Sequence, residues 1–244
     1  AATGESPFVL NLAALVACEE RISDDPKIVF QEIDLQLEKL VQSARTRLSL
    51  GSVLGSADTS SPEAIARCVS QTLFGTRDGM ENDVDPAFLK GNDGSYYDPR
   101  NSFIDVVLQR RLGIPITLSL VYAEVCAQLG CPMVGVNAPM HLLIAPADET
   151  VPFVIDPFNG GKILSIEEAS AMIAVKRGVG TQQGMMLLTM LRRSPMTAQM
   201  WCARMLRNLQ GIHAAANDFV RTLGAAERLC IIGQAHPEVS TDRE

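Results

Sequence analysis

No apolar run in these 244 residues reaches the roughly 18 that a membrane-crossing helix needs. The nearest candidate, 114–125, is interrupted by Thr117, Ser119 and Glu124, so the chain reads as soluble and not membrane-spanning. Basic excess is also missing: 21 Lys+Arg face 28 Asp+Glu, a net charge of −7. Nucleic acid would favour a concentrated basic face, so it is excluded as the expected partner. The acidity is uneven. Residues 1–95 hold 8 basic against 15 acidic side chains, whereas 176–244 hold 9 against 5. That fits two faces with different partners or the ordinary patchiness of helical surfaces. The six cysteines (Cys18, Cys68, Cys126, Cys131, Cys202 and Cys230) form no Cys-x-x-Cys pair and no Cys/His cluster with zinc spacing. They read as free thiols of a reducing compartment. No cofactor and no metal is expected, although Cys126, Cys131 and His141 are one trio that folding could bring together. The start, Ala-Ala, shows no signal or transit pattern. The expectation is a soluble intracellular chain, in a bacterial cytoplasm or an organelle interior after presequence removal, or one trimmed at its ends.

What the chain does contain is ordinary globular composition, 47% hydrophobic and 20% charged, enough for one sizeable core or two small ones. Three- and four-residue spacing predicts helices over 8–20, 26–48 and 62–74, the last two opened by Asp25-Pro26 and Ser61-Pro62. Loops are expected over 51–61 and 75–98. Asn101 or Ser102 can cap a short helix running to 111. A central helix is predicted over 115–129, with proline in its first turn, Gly130 at its exit and Glu124 as its only charge. Nearly every face of it should therefore be covered. Strands follow over 133–136, 140–144 and 151–155. A turn centred on Asp148-Glu149 sets His141 directly opposite Asp156, within about 4.5–5.5 Å at Cβ. Ser165-Ile166-Glu167-Glu168 opens the helices of the remainder, which ends in an antiparallel pair over 197–217 and 218–233.

A cysteine hydrolase or acyl transferase needs a thiol at a helix N-terminus, an imidazole to take its proton and a carboxylate to orient that imidazole. His141 and Asp156 supply the last two. The position for the thiol, at the start of the central helix, holds Pro115, which has no nucleophilic side chain. Cys126 is 11 positions further along, about 16 Å up the helix. Cys131 lies beyond the helix end. Thr117 and Ser119 are at the right end, but a hydroxyl gains little from a helix dipole. His141 and Asp156 accordingly read as a vestigial catalytic pair, buried and mutually satisfied, or as the wall of a cleft that binds an anion or peptide end without turnover.

The order of helix, histidine strand and aspartate strand resembles the transglutaminase-like branch of the papain-like fold. The runs DPRNS (98–102), RRLGIPITLS (110–119) and VIDPFNGG (154–161), with NLQGIHAAANDFVRTLGAAERL (208–229), resemble the SirB-type family. That family joins such a core to tetratricopeptide-like helices, and it carries Gly-Ile-Pro where a thiol would stand. Its usual Pro-Gly-His-Phe is Pro139-Met140-His141-Leu142 in this chain. The resemblance implies an α+β fold: an N-terminal helical region (1–95), a transglutaminase-like core with a small antiparallel sheet (96–175) and a tetratricopeptide-like helical hairpin region (176–244). The expected function is a non-catalytic interaction or scaffold subunit, a pseudoenzyme with a protein partner or larger assembly. The alternative is a hydrolase or acyl/amide transferase that uses His141 as base, Asp156 to orient it, and Arg100 or Asn101 to help bind substrate.

Overall fold

The computed structural model describes residues 6–18, 25–53, 59–75 and 88–235. Three helices come first: α1 (Ser6–Cys18), α2 (Pro26–Val53) and α3 (Pro62–Phe74). Two-residue strands β1 (Lys90–Gly91) and β2 (Leu112–Gly113) pair in parallel on either side of a short helix, α4 (Ile104–Arg110). The central helix is α5 (Pro115–Gln128). An antiparallel meander of β3 (Met133–Val136), β4 (Leu143–Pro146), β5 (Phe153–Asp156) and β6 (Lys162–Ser165) follows in sequential order. Four helices complete the described residues: α6 (Ile166–Arg177), α7 (Thr181–Arg193), α8 (Ala198–Ala215) and α9 (Phe219–Ala235).

The packing follows from sequence pattern. Every residue of α5 from Pro115 to Cys126 is buried, as its near-absence of charge requires. The sheet is covered on both faces, and alternate side chains divide between two cores. Ile144 and Ile155 face the main core with α1–α5 and α8. Leu143, Ala145 and Val154 face a second core with Ile173 of α6 and Leu188 of α7. Ser165 opens α6 with a reciprocal cap: its hydroxyl accepts the Glu168 N–H at 3.1 Å, and its own N–H donates to the Glu168 carboxylate at 2.8 Å.

Several boundaries differ from the sequence expectation. Helix α2 continues through Gly51 to Val53, because a single glycine weakens a long helix without breaking it. The rest of the expected 51–61 loop lies partly outside the described residues, as do 19–20 of the first helix and 76–87 of the loop before β1. Asn101 and Ser102 do not cap α4. They belong to a 3₁₀ turn, Pro99–Ser102, capped by Asp98, whose carboxylate accepts the Arg100 N–H at 2.9 Å. Strand β6 falls in a stretch that had been given no strand.

The hairpin register also differs. Ile144 sits opposite Ile155, two residues from the expected alignment. Asp148 O accepts the Val151 N–H at 3.1 Å, and its side chain accepts the Thr150 N–H at 2.9 Å. The turn is therefore centred one position later than Asp148-Glu149. An even shift keeps every side chain on its predicted face, but β4 begins only at Leu143, so His141 lies in the turn before it.

Candidate functional site

The site is built where α5 begins and where β4 and β5 meet. Ile114 is extended and Pro115 occupies the first turn of α5. The Thr117 hydroxyl locks this start: it accepts the Ile114 N–H at 3.2 Å and lies 2.9 Å from Asn101 O, to which it donates. His141 N donates to Ala138 O at 3.1 Å, closing a turn in which Met140 takes a left-handed backbone (φ 52°) and is 85% exposed. The histidine itself is 7% exposed and Asp156 is 1% exposed.

Asp156 ends β5 and caps the turn at Pro157–Asn159. Oδ1 accepts the Asn159 N–H at 3.3 Å and Oδ2 accepts the Asn159 amide at 2.7 Å. Nε2 of His141 stands 2.8 Å from the same Oδ2. That is ion-pair distance, yet the ring nitrogen makes no aligned hydrogen bond, so the pair is buried and adjacent but not mutually satisfied as expected. Burial works to raise the Asp156 pKa. The imidazole and the Asn159 donors outweigh it and hold the carboxyl below the usual range. The loop beyond is tied to the helices: Ser70 Oγ donates to Gly161 O at 2.7 Å and lies 2.9 Å from the Tyr122 hydroxyl, which donates to Ala66 O at 2.6 Å. Gly161 has φ 70°, and a Cβ there would meet Ser70 Oγ at 2.6 Å.

The other candidates are placed elsewhere. Asn101 is fully buried, and its amide donates to Ser95 O and Tyr96 O at 2.8 and 3.1 Å while its oxygen accepts from Asn92 at 3.0 Å. It closes its own loop. Arg100 is exposed and forks onto Asp98 at 3.0 and 2.8 Å. Burial pushes the Cys126 thiol well up, with Cys131 and Cys68 adding to the effect, and burial raises Cys131 too. Among the described residues no three His, Cys, Asp or Glu side chains are placed to hold a metal, so Cys126, Cys131 and His141 do not meet as ligands. Asn159, which holds Asp156 from both its backbone and its amide, was missed as a site residue; the signal was Asp-Pro-x-Asn after a strand.

The family model described as "Transglutaminase-like superfamily" matches residues 31–207. The chain belongs to the transglutaminase-like superfamily. This superfamily member is similar to a UPF0162 protein of Xylella fastidiosa strain 9a5c, 37% identical over 154 residues, covering 63% of this chain and 54% of that protein. A UPF0162 protein of Pseudomonas aeruginosa is 25% identical over 231 residues, 94% of this chain and 73% of that one. A 93-residue stretch, 35% of this chain, is 40% identical to 15% of F-box only protein 21 of Mus musculus. The chain spans about half the length of the Xylella relatives it matches. No solved structure matches it.

Proposed function

We propose that this transglutaminase-like chain is a non-catalytic protein-interaction or scaffold subunit. One observation carries the reading: the start of α5 bears Pro115 where the chemistry requires a thiol, and the cysteines nearest in the chain are buried with raised pKa. In this reading His141 and Asp156 are a vestigial catalytic pair that braces the junction of β4, β5 and the turn after it. The three regions 1–95, 96–175 and 176–244 divide the work, and the last, tetratricopeptide-like as in the SirB-type family, makes the contacts. Exposed Phe219, Val220, Leu223 and Ile231 on α9 support that assignment. The scaffold reading is also supported by the mouse relative, in which the matched stretch is 15% of a larger protein named for an F-box. The setting is a reducing interior, consistent with free Cys230 on the surface. Purification from the native source under mild conditions tests the proposal. A defined stoichiometric partner is expected, and a stable monomer free of any partner contradicts it.

One observation favours a second reading, an enzyme of altered chemistry. Asp156 faces Nε2 of His141, which leaves Nδ1 as the nitrogen able to take a proton from water or a substrate nucleophile.

A further inference from the structure

The far end of α5, opposite Pro115, brings two buried thiols together. The helix stops in a Schellman turn. Gln128 is its last residue, Leu129 the cap, and Gly130 takes the left-handed backbone (φ 83°) that such a turn requires. Gly130 N donates to Ala127 O at 3.0 Å and Cys131 N donates to Cys126 O at 2.9 Å, which are the two bonds of the motif. In this turn the side chain third from the helix end packs against the one two places beyond the cap. Those two residues are Cys126 and Cys131. Their backbone bond of 2.9 Å also limits how far apart they lie. With standard bond lengths the two Cα atoms are at most about 6.8 Å apart, and closer for any bend in the hydrogen bond. A disulfide spans about 4.4–6.8 Å. Both side chains enter the main core, Cys126 at 0% and Cys131 at 5% exposure. The two sulfurs sense each other, since Cys131 adds to the burial that raises the Cys126 thiol. The site at the other end of α5 uses neither.

We propose that Cys126 and Cys131 are a redox pair, which hydrogen peroxide closes to a disulfide and a dithiol reopens. Cys131, the less enclosed of the two, meets the oxidant. Its thiolate sulfur attacks one peroxide oxygen, the O–O bond breaks, and the departing hydroxide takes up the thiol proton as water. The Cys126 sulfur then attacks the sulfenic sulfur, the S–O bond breaks, and the Cys126 proton leaves in a second water. Two electrons pass from the thiols to the peroxide. Burial raises both thiols, so closure is slow at neutral pH and quickens as pH rises. The bond ties the last turn of α5 to the chain entering β3 and so joins helix to sheet. The inference goes beyond the scaffold reading and holds for an enzyme or a binding module alike. The full chain treated with hydrogen peroxide, alkylated in denaturant and digested with trypsin tests it. No Lys or Arg lies between Leu112 and Gly161, so both cysteines fall in one peptide. That peptide should weigh two hydrogens less than its dithiothreitol-reduced form and take label at neither cysteine. Cys126→Ser should remove the loss and leave Cys131 as a sulfenic acid that dimedone traps. Cys131→Ser should remove it and leave no dimedone adduct on Cys126. Circular dichroism verifies the fold of each variant, and the mapping in the unaltered chain decides without them. Two thiols still reduced once exposed Cys230 is fully oxidised, a bond from either to Cys68 in place of the pair, or a dimedone adduct on Cys126 in folded Cys131→Ser would each overturn the proposal.

Discussion

Replacing His141 with alanine separates a structural pair from a working one. The imidazole is 7% exposed and its Nε2 lies 2.8 Å from an Asp156 carboxylate that is itself almost fully enclosed. Removing it empties a buried space and takes away one of three groups around the carboxylate. The two Asn159 donors remain, at 2.7 and 3.3 Å, so Asp156 is not orphaned. The loss should therefore come from the emptied space and the lost packing of one buried side chain, about 1–3 kcal/mol. For a chain of this size that is roughly 3–10 °C in Tm. Asp156→Ala should cost more, because it also removes the cap of the Pro157–Asn159 turn, an added ~0.5–2 kcal/mol, and leaves the imidazole alone. The double variant should lose less than the sum of the singles, which is the signature of contacting residues. Thermal unfolding by circular dichroism of all four proteins reads this directly. An unchanged Tm for His141→Ala, or additive losses, would refute the structural reading of the pair.

Three further outcomes follow from the same geometry. Because the folded Asp156 pKa lies below its unfolded value, its stabilisation is fully present above the unfolded carboxyl pKa of about 3.9 and is lost as pH falls through the lower folded value. Urea unfolding below pH 4 should thus weaken less steeply in Asp156→Asn than in the unaltered chain, and identical slopes would contradict this. Native alkylation by iodoacetamide at neutral pH should label exposed Cys230 first and Cys126 last, since Cys126 is buried and its thiol is pushed well up; fast labelling of Cys126 in mass spectra would count against the site described. Met140→Gly should raise stability by up to about 1 kcal/mol, because a left-handed residue with a Cβ is strained where glycine is not; a lower Tm would show that the Met140 turn carries no such strain.

Much of the fold was legible because its strongest signals are local. Ser61-Pro62, Ile114-Pro115 and Ser165-x-x-Glu168 each open a helix where the sequence places one. The lack of charge in α5 gave its burial, and strand β3 was found at its full extent. The features that escaped depend on contacts distant in the chain or on unusual backbone. The parallel pair β1–β2 is only two residues a side and is held by Lys90 and Asn92 donating to Arg111 O and Gly113 O, which no local pattern announces. The hairpin register depended on the Asp148 side chain re-centring its turn, and His141 left its strand because Met140 adopts φ 52°. His141 and Asp156 still meet, but across the turn before β4 and not through the cross-strand register that the sequence reading used to bring them together. The roles of Asn159, Ser70 and Tyr122 were not expected, because they are set by residues that meet only in three dimensions.

The central claim is that the retained pair does no chemistry, and one comparison tests it most directly. The purified chain, His141→Ala and Asp156→Asn would be screened side by side, with folding verified for each, against thioester, ester and amide substrates with water or amines as acceptors. The account predicts no turnover in the unaltered chain beyond that of the two variants. Turnover that is present in the unaltered chain and lost in both folded variants would contradict it.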